Sequence, residues 1–136
     1  MIAPQLRLVS PATLTPHEEI IPDRVNEVTD LLVREQCWTS PICIERHSRC
    51  IMDGHHRHAA AMRLGLALVP VAEFDYNDVR LGSWRAGLSF EPGEIIERAR
   101  RGVLYPHKST RHVFPPVRVV SVSLHQLVMP GEERTI

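Results

Sequence analysis

No apolar run in this 136-residue sequence reaches the length of a membrane span, which excludes a helical membrane protein. The first residues, Met1-Ile2-Ala3-Pro4-Gln5, carry no basic region and no apolar core, so no signal peptide is expected. Cysteine is scarce. Cys37, Cys43 and Cys50 form an odd set without a disulfide framework, and predict reduced thiols in an intracellular, cytoplasmic protein. Net charge is missing too: 16 Lys and Arg balance 16 Asp and Glu, against the basic excess of a dedicated nucleic-acid or membrane-surface binder. No Cys-x-x-Cys or His-Glu-x-x-His spacing occurs, which disfavours structural zinc. No Gly-x-x-x-x-Gly-Lys-Ser/Thr loop and no protein-kinase signature set occurs either, so any nucleotide chemistry must use another architecture. Repeats, low-complexity segments and linkers are absent. A single domain over residues 1–136 is expected, with 130–136 as a loose tail.

What is present is concentrated at Asp53-Gly54-His55-His56-Arg57-His58. Cys50-Ile51-Met52 before it is short and apolar, as a buried strand end is. Ala59-Ala60-Ala61-Met62-Arg63-Leu64 after it favours helix, and Gly65 closes the run. The stretch reads as strand, tight turn and helix N-terminus. Free backbone N–H groups and the positive end of the helix dipole make such a turn an anion site. A plain cap would explain Asp53. It would not explain two imidazoles and a guanidinium in consecutive first-turn positions.

Along the chain, Leu6-Arg7-Leu8-Val9 reads as a first strand. Pro22 opens a helix running to about Gln36, with Val25, Val28, Leu31 and Leu32 on one face. Ile42-Cys43-Ile44 and Cys50-Ile51-Met52 flank a polar tip and predict a hairpin. Residues 68–74 predict a strand whose Pro70 suggests an edge or a bulge. Residues 79–85 predict another strand. Pro92 opens a short helix with Ile95, Ile96 and Ala99 inward and Gly102 as its stop. Residues 104–116 show no period and read as a loop, and residues 117–122 read as a last strand, with Leu124 and Leu127 packing after it.

Other candidates have bland readings beside functional ones. Glu18 and Glu19 could complement a helix dipole, or one of them could be a general base. Trp84 could be a core residue. Lys108-Ser109-Thr110-Arg111-His112 could be a solvated loop, or a second phosphate clamp with Arg111 bidentate and Lys108 a point charge. Cys43 and Cys50 sit in apolar patterns where a thiol behaves as a small hydrophobe.

The turn at Asp53-Gly54-His55-His56-Arg57 resembles the ParB/sulfiredoxin-like superfamily, which binds nucleotide phosphates at its Gly-x-x-Arg turn. The resemblance is closest to the free L-serine kinases. It is carried also by residues 14–24 with His17-Glu18, by Ser83-Trp84-Arg85, and by Tyr105-Pro106-His107-Lys108-Ser109-Thr110-Arg111-His112. Sulfiredoxins keep a cysteine where this chain has His55, which speaks against sulfiredoxin chemistry. ParB partition proteins continue into a DNA-reading domain, and some serine kinases of this type carry a large C-terminal extension. Neither continuation follows here.

The resemblance implies an α+β fold, a small mixed β-sheet with flanking helices. It implies transfer of a phosphoryl group from ATP or ADP to the hydroxyl of free L-serine, or of another small hydroxy amino acid, with Mg²⁺ offsetting the phosphate charge. Glu18 would be the base, with Glu19 as its rival, and Asp53 would orient the serine or the metal. Gly54, His55, His56 and Arg57 would hold the nucleotide phosphates. Trp84, Lys108, Ser109, Thr110, Arg111 and His112 would hold the substrate or the transferred group. No nucleic acid and no membrane is expected as a partner, and nothing in the residues assigns a metal ligand set or an oligomeric state. The alternative is a non-catalytic, ParB-like nucleotide-binding module of regulatory or partner type. A ParB-type nuclease has the zero net charge against it.

Overall fold

A computed structural model describes residues 3–136. The elements in order are β1 (Gln5–Val9), α1 (Pro22–Glu35), β2 (Cys37–Trp38), β3 (Ile42–Glu45), β4 (Ile51–Asp53), α2 (His55–Arg63), β5 (Val69–Phe74), β6 (Arg80–Ser83), α3 (Pro92–Arg101), β7 (Thr110–Val113), β8 (Val122–Ser123), α4 (Leu124–Val128) and β9 (Arg134–Thr135). Five strands form one mixed sheet in the order β4-β3-β5-β1-β9, in which only β3 and β5 run parallel. Two further pairs, β2 with β8 and β6 with β7, are antiparallel ribbons. This is the mixed α+β architecture expected from the sequence.

Consecutive residues Ile42, Cys43, Ile44 and Glu45 are all buried, so β3 is covered on both faces. The main core joins β3 and β5 to Val9, Trp38, Ala60, Ala61 and Leu127. A smaller cluster, Cys50, Ile95, Ala99 and Tyr105, packs α3 beside β4. Helix α1 starts at Pro22, whose missing N–H costs nothing there, and ends at Gln36 in the left-handed region at φ 55°. Helix α2 is preceded by Gly54 as its N-cap, at φ 106°.

Four sequence expectations are corrected. Pro70 lies in β5, which is interior rather than an edge. It is tolerated because the ladder to β3 begins only at Ile42 with Val71, one residue later. Within the supposed loop 104–116, Thr110–Val113 forms β7 against β6. Residues 117–121 are irregular, and only Val122–Ser123 pairs, with β2. The expected loose tail is pinned. Arg134–Thr135 pairs with β1, and Arg49 grips Glu133 at 2.7 and 2.8 Å. No helix among the described residues is long and apolar enough to cross a membrane.

Candidate active site

The expected strand-turn-helix at 51–63 is present, and a cleft of roughly 980 Å³ opens over it. The apolar lining of the cleft comes from Val28, Leu31 and Leu32 of α1 with Trp38 of β2. Leu31, which the sequence grouped on one helix face with Val25, Val28 and Leu32, is exposed and lines this cleft. Glu18, Asp53, Trp84, His107 and Lys108 line the cleft as well. The turn at Gly54, with His55, His56 and Arg57, lies on the same cleft.

Gly54 is required at that turn. Its φ of 106° disfavours a side chain, and a Cβ would stand 3.1 Å from Arg57 Nη2 and 3.3 Å from Cζ. The guanidinium thus folds back over the glycine. Its Nη1 donates to the carbonyls of Ser40, at 2.7 Å, and Pro41, at 2.8 Å. Nη2 lies 3.5 Å from the exposed carboxylate of Asp53. Arg57 is thus held in place at the helix N-terminus by the protein's own groups.

The two imidazoles of the turn are occupied differently from a simple phosphate grip. His55 is buried, and its Nε2 accepts from the backbone N–H groups of His17, at 3.1 Å, and Glu18, at 3.3 Å. His56 Nε2 accepts from the N–H of Ile21 at 3.0 Å. Burial, with His17 next in effect, keeps His55 neutral by pushing its pKa well below the ordinary value. Burial, then Arg24 and His107, lowers that of His56. Only Nδ1 of either ring is left for a ligand. Both rings staple residues 17–21 to the start of α2.

That stapled segment presents Glu18. Its backbone runs as a ribbon between β4 and the chain near Tyr105. Thr15 bridges Cys50, Glu18 bridges Tyr105, and Glu19 N–H donates to the Tyr105 carbonyl at 2.8 Å. Glu18 Oε2 accepts from the backbone N–H of Thr110 at 2.9 Å and, at very short range, from the Thr110 hydroxyl. His17 Nε2 lies 3.4 Å from the same oxygen. Burial raises the pKa of this carboxyl, but the hydrogen bonds from His17 and Thr110 together outweigh burial and hold it at about 2. Glu18 is therefore fully ionised at neutral pH.

The five-residue clamp expected at 108–112 is split. Lys108, at φ 52°, and Thr110 line the cleft. Ser109 is buried, and its hydroxyl is committed to the Pro106 carbonyl at 2.6 Å. Strand alternation then separates the rest. Arg111 turns away from Thr110 and lies over the Trp84 ring, 4.7 Å from its centroid. His112 turns inward, bonds the Tyr76 hydroxyl at 2.8 Å and stacks on Phe114. Burial, aided by His17, pushes the pKa of His112 down to about 3, so it is neutral, half-buried and outside the cleft lining. Trp84 is 58% exposed and is no core residue; Trp38 fills that role. Cys43 and Cys50 are buried, and burial lifts both thiols to about 12, as suits small hydrophobes.

The sequence named His17 and His107 only within the matching segments, and gave neither a role. The ring of His17 is completely buried, and its Nδ1 faces the Ile51 carbonyl at 2.6 Å. Its position next to Glu18 was the available signal. Arg24, at the cleft wall like His107, was likewise given no role. Among the described residues no cluster of three or more His, Cys, Asp or Glu could hold a metal.

Comparison with known proteins fits this geometry. Over 93% of this chain and 95% of the other, it superposes on a free serine kinase solved in complex with AMP, with a TM-score of 0.82 at 15% sequence identity. The fold is that of the free serine kinases. It is the ParB/sulfiredoxin-like fold expected from the sequence. An ATP-dependent L-serine kinase of Desulfurococcus mucosus is 33% identical over 103 residues, 71% of this chain and 40% of that protein. A ParB-like protein of Sulfolobus acidocaldarius is 40% identical over 82 residues, 59% of this chain and 41% of that protein. The chain spans about 40% of the length of these curated relatives. No family model matches it.

Proposed function

We propose that the chain transfers the terminal phosphoryl group of ATP or ADP to the hydroxyl of free L-serine, giving O-phospho-L-serine. One observation carries this reading: an ionised carboxylate, Glu18, and an anion-binding helix N-terminus, at Gly54, open on one cleft. The names of the serine kinase relatives support it.

The apolar lining from α1 and β2 suits the base of a nucleotide. Its phosphates then meet the N–H groups at the start of α2, the guanidinium of Arg57 and the ammonium of Lys108. Trp84 walls the acceptor end. Serine enters between Trp84 and Glu18, and its hydroxyl proton passes to Glu18 as the oxygen attacks the terminal phosphorus in line, while the bond to the bridging oxygen breaks and ADP or AMP leaves. Arg111 supports the Trp84 ring instead of touching phosphate. Magnesium fits as an ion held mainly by the phosphates and water, with Asp53 as one exposed carboxylate ligand, since an all-protein cage is not needed. It would offset the polyphosphate charge. The reading carries with it a cytoplasmic location, and small molecules rather than nucleic acid as partners.

The test is incubation with L-serine, magnesium and either ATP or ADP, followed by mass spectrometry, with threonine and homoserine as alternative acceptors. Phosphoserine is the expected product, and no product with either donor refutes the proposal. One observation favours a second reading, a nucleotide-binding module without turnover: the low proton affinity of Glu18 in the ligand-free state makes it a weak base. Nucleotide binding without any phosphorylated product would select that reading.

A further inference from the structure

Glu18 Oε2 is surrounded, while no protein donor among the described residues reaches Oε1. The donors to Oε2 form a chain. The Thr110 hydroxyl donates to Oε2, and the same hydroxyl oxygen lies 2.8 Å from His17 Nε2. The other ring nitrogen of His17 faces a carbonyl at 2.6 Å, so Nδ1 carries a proton. Thr110 has one hydroxyl proton and spends it on Glu18. The 2.8 Å contact through Nε2 fixes where the Thr110 hydroxyl stands. His17 is completely buried and packed on every side, so it has no freedom to turn away.

We propose that Thr110 and His17 are positioning residues for Glu18: they hold Oε2 from β7 and the buried ring, and leave Oε1 as the oxygen that meets an incoming hydroxyl proton. The inference rests on the reading of Glu18 as the base and names the groups that aim it. A proton taken at Oε1 leaves the acceptor oxygen with its electron pair for bond formation, while Oε2 keeps its donors. The groups facing His17 are Glu18 and Thr110, His55 of α2 at 4.6 Å between ring centroids, His112 of β7 at 5.7 Å, Tyr105 at 6.2 Å, and Cys50 Sγ at 4.0 Å from Nδ1. Glu18 is the group among them that carries negative charge at neutral pH, while burial keeps the Cys50 thiol protonated.

The test follows the Glu18 carboxyl ¹³C shift against pH in the full chain without substrate. The unaltered protein should titrate near the acid end of the range. In Thr110→Val, which keeps the shape and loses the hydroxyl, the midpoint should move up toward ordinary carboxylate values; Thr110→Ser should restore it. His17→Gln, with an amide donor in place of Nε2, should lie between. With turnover as the readout, Thr110→Val should lower kcat by about tenfold or more with nucleotide KM unchanged, and shift the acid limb of the rate profile to higher pH. A midpoint in Thr110→Val that matches the unaltered chain overturns the proposal, as does equal kcat in Thr110→Val and Thr110→Ser. The carboxyl titration needs no catalysis. Absence of phosphoserine from the unaltered protein therefore refutes the kinase reading by a separate measurement.

Discussion

The guanidinium of Arg57 lies directly over the Cα of Gly54, and a methyl group at that glycine would come within 3.1 Å of it. The two residues form one unit, in which the glycine opens the space that the arginine fills. Gly54→Ala should therefore fail twice. The strained φ of 106° should cost about 1–2 kcal/mol of stability, seen as a lower denaturation midpoint. The displaced arginine should weaken nucleotide affinity beyond that, measured by calorimetry under conditions where the variant is fully folded. An alanine variant that binds nucleotide normally would show that Arg57 needs no fixed place.

Glu18→Gln keeps an oxygen for the Thr110 donors and removes the negative charge. Turnover should fall by about 10²- to 10⁴-fold, the usual worth of a general base. Nucleotide affinity should stay unchanged, because the proposed phosphate contacts are with α2 and Lys108 instead. Single-turnover phosphorylation and equilibrium binding separate the two effects. A small loss would move the base role to Glu19, which also lines the cleft.

Trp84→Ala should leave stability within about 0.5 kcal/mol, since the ring is largely in solvent and outside both core clusters. The acceptor KM should rise by about tenfold, equivalent to about 1.4 kcal/mol of lost contact. Thermal denaturation and acceptor saturation curves check this together. Trp38→Ala is the contrast. That ring is buried, and its loss should cost about 3–5 kcal/mol.

Glu133 anchors the C-terminal segment through Arg49, and that hydrogen-bonded pair outweighs the effect of burial to draw the Glu133 pKa from 4.5 to about 2. The sign follows from the lowered value. The pair stabilises the fold at any pH above about 4.5, and the contribution disappears as pH falls from there toward 2. The pair is partly solvated, so its worth at neutral pH is about 1 kcal/mol. Glu133→Gln should lower stability by that amount at pH 7 in urea denaturation. The difference from the unaltered chain should shrink steadily below pH 4.5.

The strand, turn and helix at residues 51–63 were legible because every signal there is local: an apolar strand end, a glycine at the turn, then alanines. Thr110 was legible only as one of five polar residues in a row. Its bond to Glu18 spans 92 positions, and no spacing rule reaches that far. The same limit hid β7, whose partner β6 lies across α3. Residues 117–121 carry three valines and read as a strand, yet both margins of the main sheet are taken. β9 occupies the margin beside β1, and Thr15 bridges Cys50 next to β4. Trp38 and Trp84 have similar polar neighbours in sequence, and only the tertiary fold decides which is buried.

The ribbon that carries Glu18 has a mechanical consequence. It is stitched on one side to the β-hairpin of the main sheet, through Thr15, and on the other to Tyr105, which belongs to the smaller cluster around α3. The two clusters are cross-tied around it: Cys50, which Thr15 bridges, belongs to the smaller one, while Phe114, just after β7, packs on the larger. The Glu18 carboxylate, bonded to Thr110 of β7, is therefore braced from both clusters at once, and loosening either one would reach it directly.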